Sequence, residues 1–160
     1  MISEPVQKPK VTLVGVSVRT TNAEEASPNG RLPQLWATYF GSNTLLQKGT
    51  NNSHLIYALY TDYESDATGA YTVLIGHEVG DDIVQSGSNY PHVVVPESKY
   101  IVFTTKKGPV QEVVAQAWGE IWEYFKKRPE ARSYTGDFEL YDSRNFDPTN
   151  TEVQIYIAVN

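Results

Sequence analysis

The strongest constraint on the fold is an order of predicted elements that occurs twice along the chain. In each half, strand-like runs flank one amphipathic helix in the order strand, helix, strand, strand. The halves cover about residues 10–80 and 92–160, and Trp36 stands 82 positions before Trp118. Two such βαββ units predict an α+β fold: one antiparallel sheet with both helices on one face and a central groove between the halves.

Two segments show the periodicity of a helix with one apolar face. The first contains Pro33, which suits a first helical turn, and the second follows Pro109 and stops at Pro129. The apolar residues of the first are Leu32, Leu35, Trp36, Tyr39 and Phe40. Those of the second are Val110, Val113, Val114, Ala117, Trp118, Ile121, Trp122 and Phe125.

Runs rich in β-branched and aromatic residues predict the strands. These runs are residues 11–18, 55–60, 71–79, 93–104, 137–142 and 152–159, the fourth being interrupted by a turn or bulge. We expect residues 1–9 to be a loose tail and residues 22–30 to be a polar loop. Alternation in the last strand directs one set of side chains toward the helices: Val153, Ile155, Ile157 and Val159.

The composition excludes several kinds of chemistry. The absence of cysteine removes disulfides, zinc–thiolate sites and thiol catalysis, and His54, His77 and His92 share no metal-ligand spacing. We therefore predict neither a metal nor a cofactor. A net charge of −6 argues against direct DNA binding. Because no apolar run approaches the roughly 18 residues of a membrane helix and the first residues do not form a secretory leader, we expect a cytoplasmic protein without a membrane partner.

Glu139 is the main candidate for a functional residue. It aligns with Ala58 of the first half and lies in a strand otherwise made of Phe138, Leu140 and Tyr141. Strand alternation places Glu139 and Tyr141 on one face. Two interpretations remain open: an ordinary solvent-facing residue, or a partly buried carboxylate. The second is costly unless a partner such as a bound organic cation neutralises the charge.

A second carboxylate and several rings are further candidates. Glu78 lies at the end of a predicted strand, where it contacts either a ligand or water. The helix spacing makes Trp36, Tyr39 and Trp118 mostly core residues, of which some also line a cavity. The candidate ligand-binding residues are therefore Trp36, Tyr39, Tyr57, Glu78, Trp118, Glu139 and Tyr141.

The ordered motifs of the chain resemble a known family, the gyrase-inhibitory-protein-like or AraC-type effector-binding domains. The resemblance covers about residues 10–160 as a single effector-binding domain. It implies a duplicated βαββ fold that binds small molecules in a central groove, in several members bulky organic cations. The Phe-Glu-x-Tyr motif of the family carries the acid that holds the cation, here Glu139. The matching motifs are residues 32–36, 57–60 with 63–66, 69–73, 76–79, 95–96 with 99–100, 118–122 and 137–141.

The resemblance implies a stand-alone bacterial form, of the kind found in integron gene cassettes, without a DNA-binding domain of its own. The first hypothesis is a transcription-regulator-like module that binds lipophilic aromatic cations, as multidrug-binding members do. One alternative is a small-molecule hydrolase that uses Glu139 and a tyrosine of the same pocket. Another is an inhibitor that binds a protein partner. A homodimer is a further alternative that the sequence leaves open.

Overall fold

The structure is a computed structural model that describes residues 2–28, 30–41, 55–65, 69–79, 92–128, 131–142, 147 and 149–160. The strands are β1 (Val6–Lys8), β2 (Val11–Thr20), β3 (Leu55–Thr61), β4 (Tyr71–Glu78), β5 (His92–Val95), β6 (Ser98–Thr104), β7 (Asp137–Asp142) and β8 (Gln154–Val159). The helices of the described residues are α1 (Asn22–Glu25), α2 (Leu32–Gly41) and α3 (Val110–Lys126). None of these helices is long and apolar enough to cross a lipid bilayer.

The strands form one antiparallel sheet in the order β1-β6-β8-β7-β3-β4-β2-β5, which confirms the α+β class. β3 and β7 pair at the centre, with Ala58 opposite Glu139. Outward from this pair, each predicted half contributes its last strand and then its first, β4 and β2 on one side and β8 and β6 on the other. The duplication itself, which requires the two halves to superpose, stays a prediction.

Two short links show that the sheet curls until its ends approach each other. Residues 9–10 join β1, at one edge, to β2, which is next to the opposite edge. Residues 96–97 likewise join edge strand β5 to β6, next to the other edge. A link of two residues spans at most about 11 Å, whereas six strand spacings in a flat sheet would measure about 29 Å. Only a curled sheet satisfies both connections.

The curl gives the sheet two buried faces. On one face, residues of both long helices pack with the sheet in a single cluster that contains Tyr39, Ile121 and Ile155. Val153, Ile155 and Ile157 belong to this cluster and Val159 packs against it, which confirms the predicted helix-facing side of β8. On the other face, inside the curl, lies a second cluster that includes Leu13, Tyr57, Leu59, Tyr100, Val102, Phe138 and Tyr156.

Strands β2 and β4 approach each other closely at one cross-strand pair, and both residues of this pair are glycine. Gly15 of β2 pairs with Gly76 of β4. A Cβ atom on Gly15 would lie 2.0 Å from the backbone oxygen of Ile75, and one on Gly76 would lie 2.0 Å from that of Val14. Any larger residue would force these strands apart, so the glycine pair permits the local backbone geometry.

Three segments differ from the sequence-based expectation. Within the expected loose tail 1–9, Val6–Lys8 pair with β6 and Ile2 forms a bridge with Phe103, so these residues are part of the sheet. The expected polar loop 22–30 contains α1, whose first turn is capped by the Thr21 hydroxyl. The run 93–104, expected to be one strand interrupted by a turn or bulge, is two strands with different partners: β5 pairs with β2, and β6 pairs with β1 and β8. The local sequence does not show this change of partner, because it depends on the curl.

The buried histidine of β4 makes folding sensitive to acid. His77 is 0% exposed, and its Nδ1 shares a hydrogen bond of 3.2 Å with the hydroxyl of Tyr39 in α2. Burial lowers the pKa of His77 from 6.5 to about 4. The imidazole is therefore neutral in the folded protein over a range where an unfolded chain already protonates it. Its contribution to stability is present above pH 6.5 and is lost as the pH falls toward 4.

We expect the free energy of unfolding to fall by about 2–3 kcal/mol between pH 7 and pH 4.5 through His77 alone. Urea unfolding at the two pH values measures this loss. His77→Gln should remove that part of the pH dependence, while His92→Gln, which changes an exposed histidine, should retain it. The same pH dependence in both variants would contradict the assignment.

Candidate functional site

A cavity of about 1050 Å³ opens on the helix-facing side of the sheet. Its floor comes from β3, β4 and β7, and its walls come from α1, α2 and α3. The lining is rich in aromatic residues and contains few charged ones. The lining residues are Asn22, Glu25, Ala26, Leu32, Pro33, Trp36, Ile56, Tyr60, Tyr63, Tyr71, Val110, Gln111, Val114, Ala115, Trp118, Trp122, Arg132, Glu139 and Tyr141.

The carboxylate of Glu139 lies on the floor of this cavity and is 3% exposed. Its Oε2 accepts hydrogen bonds from the Tyr60 hydroxyl at 2.8 Å and from Trp118 Nε1 at 2.7 Å. Its Oε1 accepts one from the Tyr141 hydroxyl at 2.5 Å. These donors come from β3, α3 and β7, and all three are neutral. Among the described residues, no cationic side chain forms an ion pair with Glu139.

Two opposing effects act on the ionisation of Glu139. Burial raises its pKa above the ordinary value, because a charged carboxylate loses its hydration in an apolar site. The hydrogen bonds from Tyr141, Trp118 and Tyr60 lower it, and the net pKa remains raised. Burial and the neighbouring Glu139 also raise the pKa values of Tyr60 and Tyr141 well above normal, so both phenols remain protonated donors.

Aromatic rings surround the carboxylate. Tyr60 and Trp118 have ring centroids 5.1 Å apart, and Trp36 meets Tyr141 edge-to-face at 5.2 Å. Trp122 extends the wall outward, 6.4 Å from Trp118, and is 42% exposed. Ring faces attract cations through their quadrupoles, and the effect is largest where water is excluded. The geometry therefore combines a negative group with apolar, electron-rich walls.

The cationic side chain in the lining already has a partner. Arg132 Nη2 donates to Asp137 Oδ2 at 2.8 Å, and both side chains are almost completely buried. Asp137 also accepts from the Tyr63 hydroxyl at 2.6 Å and from the backbone N–H of Ala158 at 2.8 Å. Asp137 therefore neutralises the charge of Arg132, and Arg132 forms no ion pair with Glu139.

Four of the residues proposed from sequence come together in the cavity: Trp36, Trp118, Glu139 and Tyr141. The burial of Glu139 decides between the two interpretations left open for it, because a solvent-facing strand residue would not be 3% exposed. A role of any of these four in ligand binding stays a prediction.

The other three proposed residues lie elsewhere. Tyr39 packs behind Trp36 at a ring distance of 6.5 Å. Tyr57 and Glu78 lie on the opposite face of the sheet, where they line a separate pocket of about 100 Å³. Strand alternation explains this separation, since Tyr57 is adjacent to the helix-facing Ala58 and Glu78 is adjacent to the helix-facing His77.

Sequence reasoning did not single out several lining residues. Tyr60 and Tyr71 belong to strands and Tyr63 to the turn after β3, and Glu25 and Arg132 lie outside the predicted elements. A signal for Tyr60 was available, because the alignment of the halves paired Ala58 with Glu139 and placed Tyr60 two residues later on the same face. No local pattern indicated Glu25 or Arg132.

The family profile described as "Integron-associated effector binding protein" matches residues 5–159. The chain belongs to this family. This match confirms the resemblance that the ordered motifs indicated. Within the integron-associated effector binding family, the chain is 37% identical over 148 residues to a putative transcriptional regulator protein, YobU, of Bacillus subtilis (strain 168). The aligned region covers 91% of this chain and 89% of that protein.

Solved structures also resemble this member of the integron-associated effector binding family. An integron cassette protein from the mobile metagenome of Vibrio cholerae has 32% identity and a TM-score of 0.76, over 99% of this chain and 95% of that chain. SAV2435, crystallised with tetraphenylphosphonium, has 22% identity and a TM-score of 0.77, over 98% of this chain and 93% of that chain. At this identity, the likeness to SAV2435 shows that the two proteins share a fold.

Tyr60→Phe tests the hydrogen bonds that hold Glu139. The change keeps the ring and removes one donor from a buried carboxylate, so we expect the pKa of Glu139 to rise further and the free energy of unfolding at pH 7 to fall by about 1.5–3 kcal/mol. Carboxyl-carbon NMR titration and urea unfolding measure the two effects. Tyr57→Phe removes a hydroxyl on the other face of the sheet and should leave the Glu139 titration unchanged. An unaltered titration in Tyr60→Phe would contradict the described geometry.

Proposed function

We propose that the chain is an effector-binding module for lipophilic aromatic cations, which it holds between Glu139 and the rings of the cavity. The observation that carries this proposal is a buried carboxylate in an aromatic cavity with neutral hydrogen-bond donors and no paired cation among the described residues. A bound cation would supply the missing positive charge.

The energetics of the site favour a cationic ligand over a neutral one. The charged form of a buried carboxylate is disfavoured by desolvation, and an opposite charge within a few ångströms restores it. Each ring face in contact with the cation adds roughly 0.5–2 kcal/mol. Burial of the apolar surface of the ligand adds to the contributions of the carboxylate and the rings, and the sum is compatible with micromolar affinity, about −8 kcal/mol.

The size of the cavity and one relative support the same class of ligand. A volume of about 1050 Å³ accommodates a molecule with several aromatic rings. SAV2435, which shares the fold, was crystallised with tetraphenylphosphonium, a cation with four phenyl groups. Direct DNA binding is not part of the proposal, because a net charge of −6 repels phosphates.

A ligand with a cleavable bond separates binding from the hydrolase alternative. Rhodamine 6G is an aromatic cation that carries an ethyl ester. We propose that the protein binds it without turnover, so mass spectrometry after prolonged incubation should recover the intact ester. Cleavage that depends on Glu139 would instead support the hydrolase. Absence of binding to any aromatic cation would favour the protein-binding inhibitor.

Glu139→Gln should weaken the binding of tetraphenylphosphonium by roughly 10- to 150-fold, since the change keeps the shape of the side chain but removes its charge. Isothermal titration calorimetry at low salt measures the difference. Triphenylphosphine oxide is neutral and similar in its rings, and its affinity should change little.

Glu78→Gln is the matched control, because it removes a carboxylate from the opposite face of the sheet. This variant should bind tetraphenylphosphonium as the unmodified protein does. Equal affinity in the unmodified protein and Glu139→Gln would remove Glu139 from the mechanism. A large loss in Glu78→Gln would place the site on the other face.

The raised pKa of Glu139 predicts the direction of the pH dependence. A bound cation favours the charged carboxylate and lowers its pKa, so affinity should weaken as pH falls through the pKa of the free protein. In that range, binding should release protons. Calorimetry in two buffers of different ionisation enthalpy counts the released protons, and Glu139→Gln should abolish both the release and the pH dependence. Proton uptake on binding would contradict the proposal.

A further inference from the structure

We propose that the cavity contains a second cation subsite at Glu25, and that its preferred ligands are therefore aromatic molecules with two positive charges. This inference rests on the proposed binding of aromatic cations and specifies the ligand class further. Glu25 is the last residue of α1 and lines the cavity from that helix, whereas Glu139 lines it from the sheet, so the two carboxylates belong to one site.

The contacts of Glu25 leave its charge without a paired cation among the described residues. Its carboxylate accepts hydrogen bonds from the backbone N–H groups of Arg31, at 2.9 and 3.1 Å, and of Leu32, at 3.1 Å. The Thr20 hydroxyl is a further donor. These donors carry no formal charge, and the two backbone groups lie at the start of α2, where the helix dipole stabilises the carboxylate without pairing it with a cation. The guanidinium of Arg31 lies 3.5 Å from Glu24 instead. Glu25 is only half-buried, so a ligand can reach it.

Two tyrosine rings connect the carboxylates across the cavity. Tyr60 donates to Glu139, and its ring lies 5.6 Å from the ring of Tyr71. The Tyr71 hydroxyl donates to Asn22 of α1 at 2.7 Å. Burial raises the pKa of Tyr71, and the negative charges of Glu25 and Glu139 raise it further. Both charges thus act on the same phenol, and an aromatic surface extends from one carboxylate toward the other.

The balance of charge in the cavity favours a dication. The charged residues of the lining are Glu25, Arg132 and Glu139. Asp137 compensates Arg132 at 2.8 Å, so two carboxylates remain without a cationic partner among the described residues. A ligand with one charge neutralises only one of them. The volume of about 1050 Å³ also accommodates a molecule long enough to reach both.

Ethidium and propidium form a matched pair of probes for this inference. They share the same phenanthridinium rings and one positive charge, and propidium carries a second quaternary ammonium on a flexible chain. Fluorescence titration at low salt measures both affinities with the unmodified protein. We expect propidium to bind about fivefold more tightly than ethidium, the size of effect for a partly exposed charge pair.

Glu25→Gln should reduce the propidium-to-ethidium affinity ratio to about one. The glutamine oxygen still accepts from the backbone N–H groups, and any general loss of structure affects both dyes and cancels in the ratio. Glu24→Gln is the control, since Glu24 does not line the cavity. This variant should keep the ratio of the unmodified protein.

The outcomes separate this inference from the proposed function. Ethidium binding that depends on Glu139, with a propidium-to-ethidium ratio near one in the unmodified protein, would overturn the second subsite and leave the proposed function intact. An elevated ratio that persists in Glu25→Gln, or that falls equally in Glu24→Gln, would also overturn it. Failure of both dyes and of tetraphenylphosphonium to bind would remove the proposed function and this inference together.

Discussion

Two links of two residues hold the ends of the sheet near each other, and the remaining architecture depends on this constraint. Residues 9–10 and 96–97 each cross between opposite ends of an eight-stranded sheet. The sheet must therefore curl, and both faces become buried. One face forms a cluster of aliphatic and aromatic side chains inside the curl, and the other packs on the helices. A polar side chain near the middle of a central strand then has little access to water on either face.

Glu139 occupies such a position, and neutral donors rather than a cationic side chain form the hydrogen bonds that its buried carboxylate needs. Three neutral donors from two strands and one helix surround its carboxylate. A buried ion pair would have fixed the charge of the site permanently. Neutral donors hold the carboxylate in place and stabilise its charge only in part, and this arrangement is the basis of the proposed attraction for an external positive charge.

The neighbouring carboxylate of Asp137 differs from that of Glu139, because a cationic side chain neutralises it. This residue lies two positions before Glu139 on the same strand face and is also buried, but it pairs with Arg132 and accepts two further hydrogen bonds. Breaking such a pair costs several kcal/mol because it leaves a buried charge uncompensated. One carboxylate thus has a structural role within an ion pair, whereas the other is left open toward the cavity.

The amino-acid sequence alone predicted much of the fold and part of the candidate site. The helix spacing, the strand alternation and the Ala58–Glu139 alignment are local patterns, and they placed Glu139 and Tyr141 on the same face. The position of Glu25 and Glu139 in one cavity was not predictable in this way, because these residues are separated by more than a hundred positions and no periodicity connects them. The Arg132–Asp137 pair was not predicted either, although only five positions separate the two residues, because Arg132 lies outside every helix and strand and no periodicity orients its side chain. Local backbone geometry determines which side of a strand a residue occupies, but the curl and the docking of the helices decide which charges meet and which remain unpaired.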